Sequence, residues 1–284
     1  MKSGNHPYQN LSAVLTTKHE KLGLIAPPLN SELGMNVILH EADTDLFGTF
    51  SGEIQRSLSA REAAIEKAKI GTSALGLRLG LASEGSIGPD PILPFVRSDI
   101  EHLALVDLDL GVEIVESFRS LEIVAGEIVT EPGVDLTEFL SGLDFPNHKL
   151  IVLPNLGPRT TVAKGVDSTA TLYRAVEELA AISSDGKALV QSDLRAHCSP
   201  SRQANIKQAA QLLAQRLKAL CLECKTPGWG QVGYERGLEC SDCGELVGKA
   251  KKAAIYGCAR CSFVELGSKI SDYADPAICD ACNP

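Results

Sequence analysis

Eight cysteines, all within residues 221–284, constrain this chain more than any other feature. They form four C-x-x-C pairs: Cys221/Cys224, Cys240/Cys243, Cys258/Cys261 and Cys279/Cys282. A C-x-x-C turn holds two thiolates on one side of a tight loop. Two such turns close a tetrahedral four-sulfur shell around Zn²⁺. Gaps of 15, 14 and 17 residues between the pairs therefore point to two structural zinc sites, closed to the water a catalytic zinc needs. Spacing leaves the pairing open. A sequential scheme joins 221/224 to 240/243 and 258/261 to 279/282. A nested scheme joins 240/243 to 258/261 inside 221/224 and 279/282. A disulfide framework needs an oxidising compartment, and the polar start MKSGNHPYQN has no apolar run of a secretory signal. The expected location is the cytoplasm.

The cysteine boundary divides the chain into an expected domain over 1–219 and a small double zinc-ribbon module over 220–284. With 284 residues, 44% of them hydrophobic, there is material for two cores. No apolar run reaches the roughly 18 residues of a membrane span. A net charge of −9 argues against the cationic surface that sequence-independent nucleic-acid binding requires. Within the module, Lys249, Lys251 and Lys252 read as a basic, solvated hairpin tip and Trp229 as a cover for the metal core. A protein partner is the expected docking class for this module.

Residues 1–219 alternate strand-like and helix-like patterns, so a mixed-sheet α/β domain is expected. Strands are read at 11–17, 36–42, 77–83, in a meander through HLALVDL, VEIVESF and LEIVAGEIV, at 148–154 and at 187–197. Helices are read at 59–70, stopping at Gly71, at 168–182, and at about 200–219 behind Ser199 and Pro200. Polar residues at strand ends are the functional candidates. Thr16, Lys18 and Lys21 follow the first strand, where cations and helix N–H groups approach phosphates. Glu62 opens a helix, either as a metal carboxylate or as the acid of a capping box with Ser59, and Lys67 follows it. Glu84 sits in the expected turn EGSIGPDP, suited to Mg²⁺. Asp193, Arg195 and His197 alternate along a strand and meet Arg202 near a helix start, a set suited to an anion. Cys198 is a lone thiol beside His197.

The order of these motifs resembles the inosine/xanthosine triphosphate pyrophosphatases: Thr16 to Lys21, FGTFSGE with SAREAAIEKA (47–68), LGLASEGSIG (79–88), and Ser201-Arg202 opening a long helix. The resemblance implies a nucleoside triphosphate bound as its Mg²⁺ complex and cleaved to monophosphate and pyrophosphate. Thr16, Lys18, Lys21, Lys67, Arg195, His197 and Arg202 would then serve the substrate, and Glu62, Glu84 and Asp193 would be the catalytic acids. Lys18 stands where the common motif has Asn, and the late Ser-His-Arg lacks its His. The alternative is a non-catalytic nucleotide- or protein-binding zinc-ribbon protein. The whole chain, through DTDxFGTFSGE, ASEGSIGP, SDLRAH and ADPxxCxxCNP, also resembles a bacterial domain-of-unknown-function family of about this length. The enzymatic expectation requires Lys21, Glu62 and Glu84 to meet in one cleft.

Overall fold

Alternation along the first strands decides where the larger sheet sits. The computed structural model describes residues 6–18, 20–42, 58–159 and 161–284. The FGTFSGE motif lies outside them. In chain order come β1 (Ser12–Thr16), α1 (Leu22–Leu33), β2 (Asn36–His40), α2 (Ala60–Leu75), β3 (Leu79–Pro89), β4 (Arg97–Asp107) and β5 (Val112–Ser120). The strands form one mixed sheet in the order β2-β1-β3-β4-β5. β1 runs parallel to both its neighbours, while β3, β4 and β5 form an antiparallel meander. Odd-numbered Leu15, Leu79, Leu81, Leu103 and Leu105 bury one face against Ile25 and Leu29 of α1 and Ile206 and Leu213 of α5 (Pro200–Lys218). Even-numbered Ala82, Ala104 and Val106 face α2 through Ala64 and Ala68.

Small residues on that second face let α2 lie close to the sheet, which explains the first correction. The helix does not stop at Gly71 but runs four residues further, to a left-handed cap at Gly76. A Cβ on Gly71 would lie 2.2 Å from Thr16 Oγ1 and 3.0 Å from Val14 Cγ2. Gly71 thus serves helix–sheet approach rather than termination.

Glu84 gives the second correction. The expected turn at 84–91 is strand: β3 continues to Pro89, with Glu84 opposite His102 of β4. β1 pairs with β3 only as far as Ala82. Among the described residues no strand pairs with β3 on its β1 side beyond Ala82, and α1 and α2 flank opposite faces of the sheet there. The carboxyl ends of sheet strands, with helices on both faces, are where α/β sheets bind ligands.

The chain then builds a second layer pair. β6 (Glu127–Thr130), β7 (Leu150–Pro154), β8 (Ala163–Val166) and β9 (Ala188–Ser192) form an antiparallel sheet in the order β6-β9-β7-β8. It packs on α3 (Thr137–Gly142) and α4 (Thr169–Ile182) through Leu140, Leu150, Val152, Leu172, Val176 and Leu179. The strand expected through 197 ends at Ser192, and residues 196–198 make a single 3-10 turn. Asp193, Arg195 and His197 therefore do not alternate along a strand.

The cysteine module is a three-stranded antiparallel sheet of β10 (Gly230–Glu239), β11 (Leu246–Gly257) and β12 (Val264–Lys269). Its foot is docked on the larger lobe. Arg216 of α5 donates to the Gly228 carbonyl at 3.2 Å and pairs with Glu116 of β5 at 2.5 Å, and Ala259 joins the main core. Among the described residues no helix is long and apolar enough to cross a membrane.

Candidate functional site

The ten residues of β10 extend roughly 30 Å at strand rise, and that length decides which cysteines meet. Cys221 and Cys224 precede β10, and Cys258 and Cys261 follow its partner β11, so the four gather at the docked end. Cys240 and Cys243, in the β10–β11 turn, lie at the far end, where the chain returning after β12 delivers Cys279 and Cys282. The clusters are thus Cys221/Cys224/Cys258/Cys261 and Cys240/Cys243/Cys279/Cys282, with all sulfurs of a cluster within 4.8 Å of one another. This interleaved pairing is neither the sequential nor the nested scheme. Either would require one cluster to join the two ends of β10 or of β11.

The sulfur separations fit zinc. Cys221–Cys261 and Cys224–Cys258 are 3.7 and 3.5 Å apart, and Cys240–Cys282 and Cys243–Cys279 are 3.8 and 3.7 Å apart. A tetrahedron with Zn–S bonds of about 2.3 Å has edges of about 3.8 Å. The amides of Arg260 and Cys261 donate to Cys258 Sγ at 3.2 and 3.4 Å, the kind of contact that stabilises a thiolate. Trp229 stacks on Phe263 at 5.3 Å between ring centres, beside the docked cluster. The lysines are not a tip: all three lie on β11. Lys249 pairs with Asp280, Lys252 pairs with Glu235, and Lys251 sits 4.1 Å from the centre of the Tyr234 ring.

The second constellation lies along β3 beyond Ala82, where its pairing with β1 ends. Lys21, the residue that opens α1, is buried and donates to Ser83 Oγ at 2.8 Å. Burial first, then the Arg202 cation, push its ammonium down to about 8, against the pull of Glu101 and Glu84. On the same face, Arg202 of α5 donates from Nε to Glu101 Oε1 at 2.6 Å and from Nη1 to the Leu194 carbonyl at 2.7 Å. Both ends of this pair are almost wholly buried, at 0% and 1% side-chain exposure. Gly85 makes room for it, since a Cβ there would lie 2.4 Å from Arg202 Nη2 and 2.6 Å from Glu101 Oε1. Asn205, one helical turn on, donates to Asp99 Oδ2 at 2.9 Å.

Round the edge of β3, on the α2 face, Lys67 and Glu84 form a buried ion pair at 2.6 Å. Glu84 and Lys67 both lie within Coulombic reach of Lys21. The structure thus gathers Lys21, Lys67, Glu84 and Arg202, and adds Ser83, Asp99, Glu101 and Asn205. No sequence signal marked these four. The period-2 pattern of β4 does place Asp99 and Glu101 on the face that α5 covers.

Other expected residues lie elsewhere. Thr16 is buried on the α2 face against Gly71. Lys18 is exposed on the β1–α1 loop. Glu62 is exposed and completes the capping box, its Oε2 accepting the Ser59 amide at 2.9 Å and hydroxyl at 2.7 Å. It does not join Glu84, so the three-residue meeting holds for Lys21 and Glu84 alone. Asp193 accepts Arg195 Nε at 2.9 Å and the Gly165 amide at 3.0 Å, a local brace for the loop before α5. His197 is half-buried, and burial with the nearby Arg195 cation pushes its imidazole down. Cys198 is buried, and burial pushes its thiol up to about 11, away from nucleophilic use. His148, unmarked in the sequence, accepts the Ser201 amide on Nε2 at 3.1 Å and so caps α5, which Ser199 does not do through its side chain.

Comparison with known proteins gives three findings. The model of a family described as a domain of unknown function, DUF6671, matches residues 67–284. No curated protein matches the chain. Among solved structures, a nucleoside-triphosphatase / dITP/XTP pyrophosphatase from Mycobacterium abscessus aligns at 15% identity, with a TM-score of 0.28, over 61% of this chain and 94% of that one.

Proposed function

The chain belongs to the DUF6671 family, and we propose that it binds nucleotide phosphates along β3 beyond Ala82 and cleaves a nucleoside triphosphate there to monophosphate and pyrophosphate. One observation carries the reading. Among the described residues, Glu84 neutralises Lys67 and Glu101 neutralises Arg202, while Lys21 is buried with only a neutral hydroxyl for a partner. A buried ammonium with no carboxylate in contact is costly, even with Glu101 and Glu84 at Coulombic range. An anion supplies that counter-ion, and a phosphate suits a cation at the start of a helix.

In this reading Lys21 holds a phosphate oxygen from inside the crevice and Lys18 meets the polyphosphate from the solvent side. Arg202 stays pinned by Glu101 and the Leu194 carbonyl, so its charge is fixed in place before the ligand arrives. Glu84 is the acid placed to hold Mg²⁺, which accepts one or two carboxylates together with phosphate oxygens. Bound Mg²⁺ would supply Lewis acidity and an activated water. Lys67 orients Glu84. Glu62 belongs to the helix cap, and Asp193 orients Arg195. Zn²⁺ fills both cysteine clusters as a structural metal. The far end of the ribbon, with Leu246 and Tyr273 exposed, would receive a protein partner.

Full-length protein with Mg²⁺ and a panel of nucleoside triphosphates tests the reading by pyrophosphate release. Glu84→Gln should abolish release while nucleotide still binds. Absence of release from every substrate removes hydrolysis. A binding-only protein is the second reading, favoured by the commitment of Glu84 and Glu101 to cations, and tight binding without turnover would select it.

A further inference from the structure

Asp99 and Glu101 lie two residues apart on β4, on the face covered by α5, opposite Ile87 and Gly85 of β3. Both are almost wholly buried, at 0% and 1% exposure. Each has one oxygen satisfied: Asp99 Oδ2 by the Asn205 amide at 2.9 Å, and Glu101 Oε1 by Arg202 Nε at 2.6 Å. The other two oxygens, Asp99 Oδ1 and Glu101 Oε2, are buried and meet no hydrogen-bond donor among the described residues. The two carboxyls, on the same face of β4, lie within Coulombic reach of each other. Two ionised carboxylates this close, away from water, repel each other and leave both oxygens unsatisfied. One proton between them removes the repulsion and satisfies both.

We propose that Asp99 and Glu101 share a single proton behind Arg202, and that this acid pair sets the charge the crevice presents to an anion. The second half rests on the phosphate-binding reading; the first does not. The proton belongs on Asp99. Glu101 has a guanidinium to stabilise its charge, whereas Asp99 has a neutral amide. Around Asp99 lie Arg202 and Asn205 from α5, Ser120 from β5, Ile87 from β3 and the Glu122 carbonyl, which Asn205 also reaches at 3.4 Å. Burial, then the Glu101 charge, push the Asp99 carboxyl up to about 7, against Asn205 and Arg202. With the proton in place the pair carries one negative charge, matched by Arg202, and the positive charge of Lys21 is left for the ligand. Loss of the proton adds a second negative charge beside Arg202 and opposes an incoming anion. Asp99 is therefore a positioning residue, acting on charge through Glu101 and Arg202.

Asp99→Asn tests this, because an amide in that place donates to Glu101 Oε2 and its carbonyl still accepts from Asn205. The folded protein keeps a proton that the unfolded chain releases near the ordinary Asp value. Wild-type stability should thus fall as pH rises from about 4 to about 7 and level off above it. Urea unfolding should show that fall in the wild type and a much flatter profile in Asp99→Asn, which becomes the more stable protein at pH 8. Inorganic pyrophosphate should bind the wild type about tenfold more weakly at pH 8 than at pH 6, and Asp99→Asn about equally at both. Equal pH slopes in the two proteins overturn the shared proton. Should Asp99→Asn fail to fold, infrared spectra of the wild type decide: a buried carboxylic C=O band present at pH 6 and lost by pH 8 supports the pair, and its absence overturns it. If the stability profiles behave as stated but pyrophosphate does not bind at either pH, the anion site fails while the shared proton stands.

Discussion

The crevice and the cysteine module both gather reactive side chains, yet they stand in opposite relations to their ligands. In the crevice the charges are largely settled before anything binds: Glu84 against Lys67, Glu101 against Arg202, Asp99 held by Asn205. Among these described residues, Lys21 has only the Ser83 hydroxyl as a hydrogen-bond partner. Each cysteine cluster holds four sulfurs within 4.8 Å, and four thiolates so close need a cation between them. The larger lobe therefore folds around its site on its own apolar cores. The ribbon, whose far end has a small core of Leu238, Val247, Ala250 and Ala274, would on the zinc reading fold around its metal. A site poised for an exchangeable ligand and a site built as a staple differ in how much of their energy comes from the surrounding protein.

Removing metal sharpens the contrast most. Structural zinc contributes on the order of 10 kcal/mol to the folding of small modules. A strong chelator should release two Zn²⁺ per chain and expose residues 230–284 to protease, while the larger lobe still unfolds cooperatively on heating. Collapse of both regions together would break the comparison. Cys240→Ser should loosen only the projecting end, and Cys221→Ser should also disturb the Arg216 contacts at the foot, as proteolysis patterns would show.

A smaller effect is expected at the crevice's own staple. Arg202→Met leaves Glu101 buried without its cation and should cost about 3–5 kcal/mol in urea unfolding. Arg202→Lys should not restore it, because a single ammonium cannot reach Glu101 and the Leu194 carbonyl with the same fork. Gly85→Ala comes next, at about 1–3 kcal/mol, since its methyl would overlap Arg202 Nη2 and Glu101 Oε1. Smallest of all is Glu62→Gln, which keeps a capping-box acceptor on the surface. It should leave any triphosphate turnover unchanged, and a large loss of turnover would return Glu62 to the catalytic acids.

The same contrast explains what could be read from the sequence. The eight cysteines were legible because each C-x-x-C encodes its own turn within four residues. Their pairing was not, because it depends on the length and direction of β10 and β11. The helix starts at Ser59 and Ser199 were legible from local capping patterns, but the end of α2 was not: Gly71 looks like a stop until Thr16 and Val14 pack against it. Likewise Glu84 looks like a turn residue until β4 pairs with it, and Asp193, Arg195 and His197 look like a strand until the chain turns into α5. Lys21 and Arg202 were legible as cations near helix starts. Ser83, Asp99, Glu101 and Asn205 matter only because four elements converge along β3 beyond Ala82, a tertiary fact with no local signature.

On the proposed reading Lys21 is a buried cation that an anion partners, and calorimetry of pyrophosphate binding tests this most directly. Lys21 has an ammonium pushed down to about 8, and an anion bound beside it must raise that value. Binding at pH 8.5 should therefore take up protons, seen as a heat that changes between buffers of different ionisation enthalpy. Affinity should weaken as pH rises above 8, and Lys21→Met should fold with equal or greater stability while losing both the binding and the proton uptake. Pyrophosphate binding of equal strength in Lys21→Met, or binding by the wild type without proton uptake, would contradict the account.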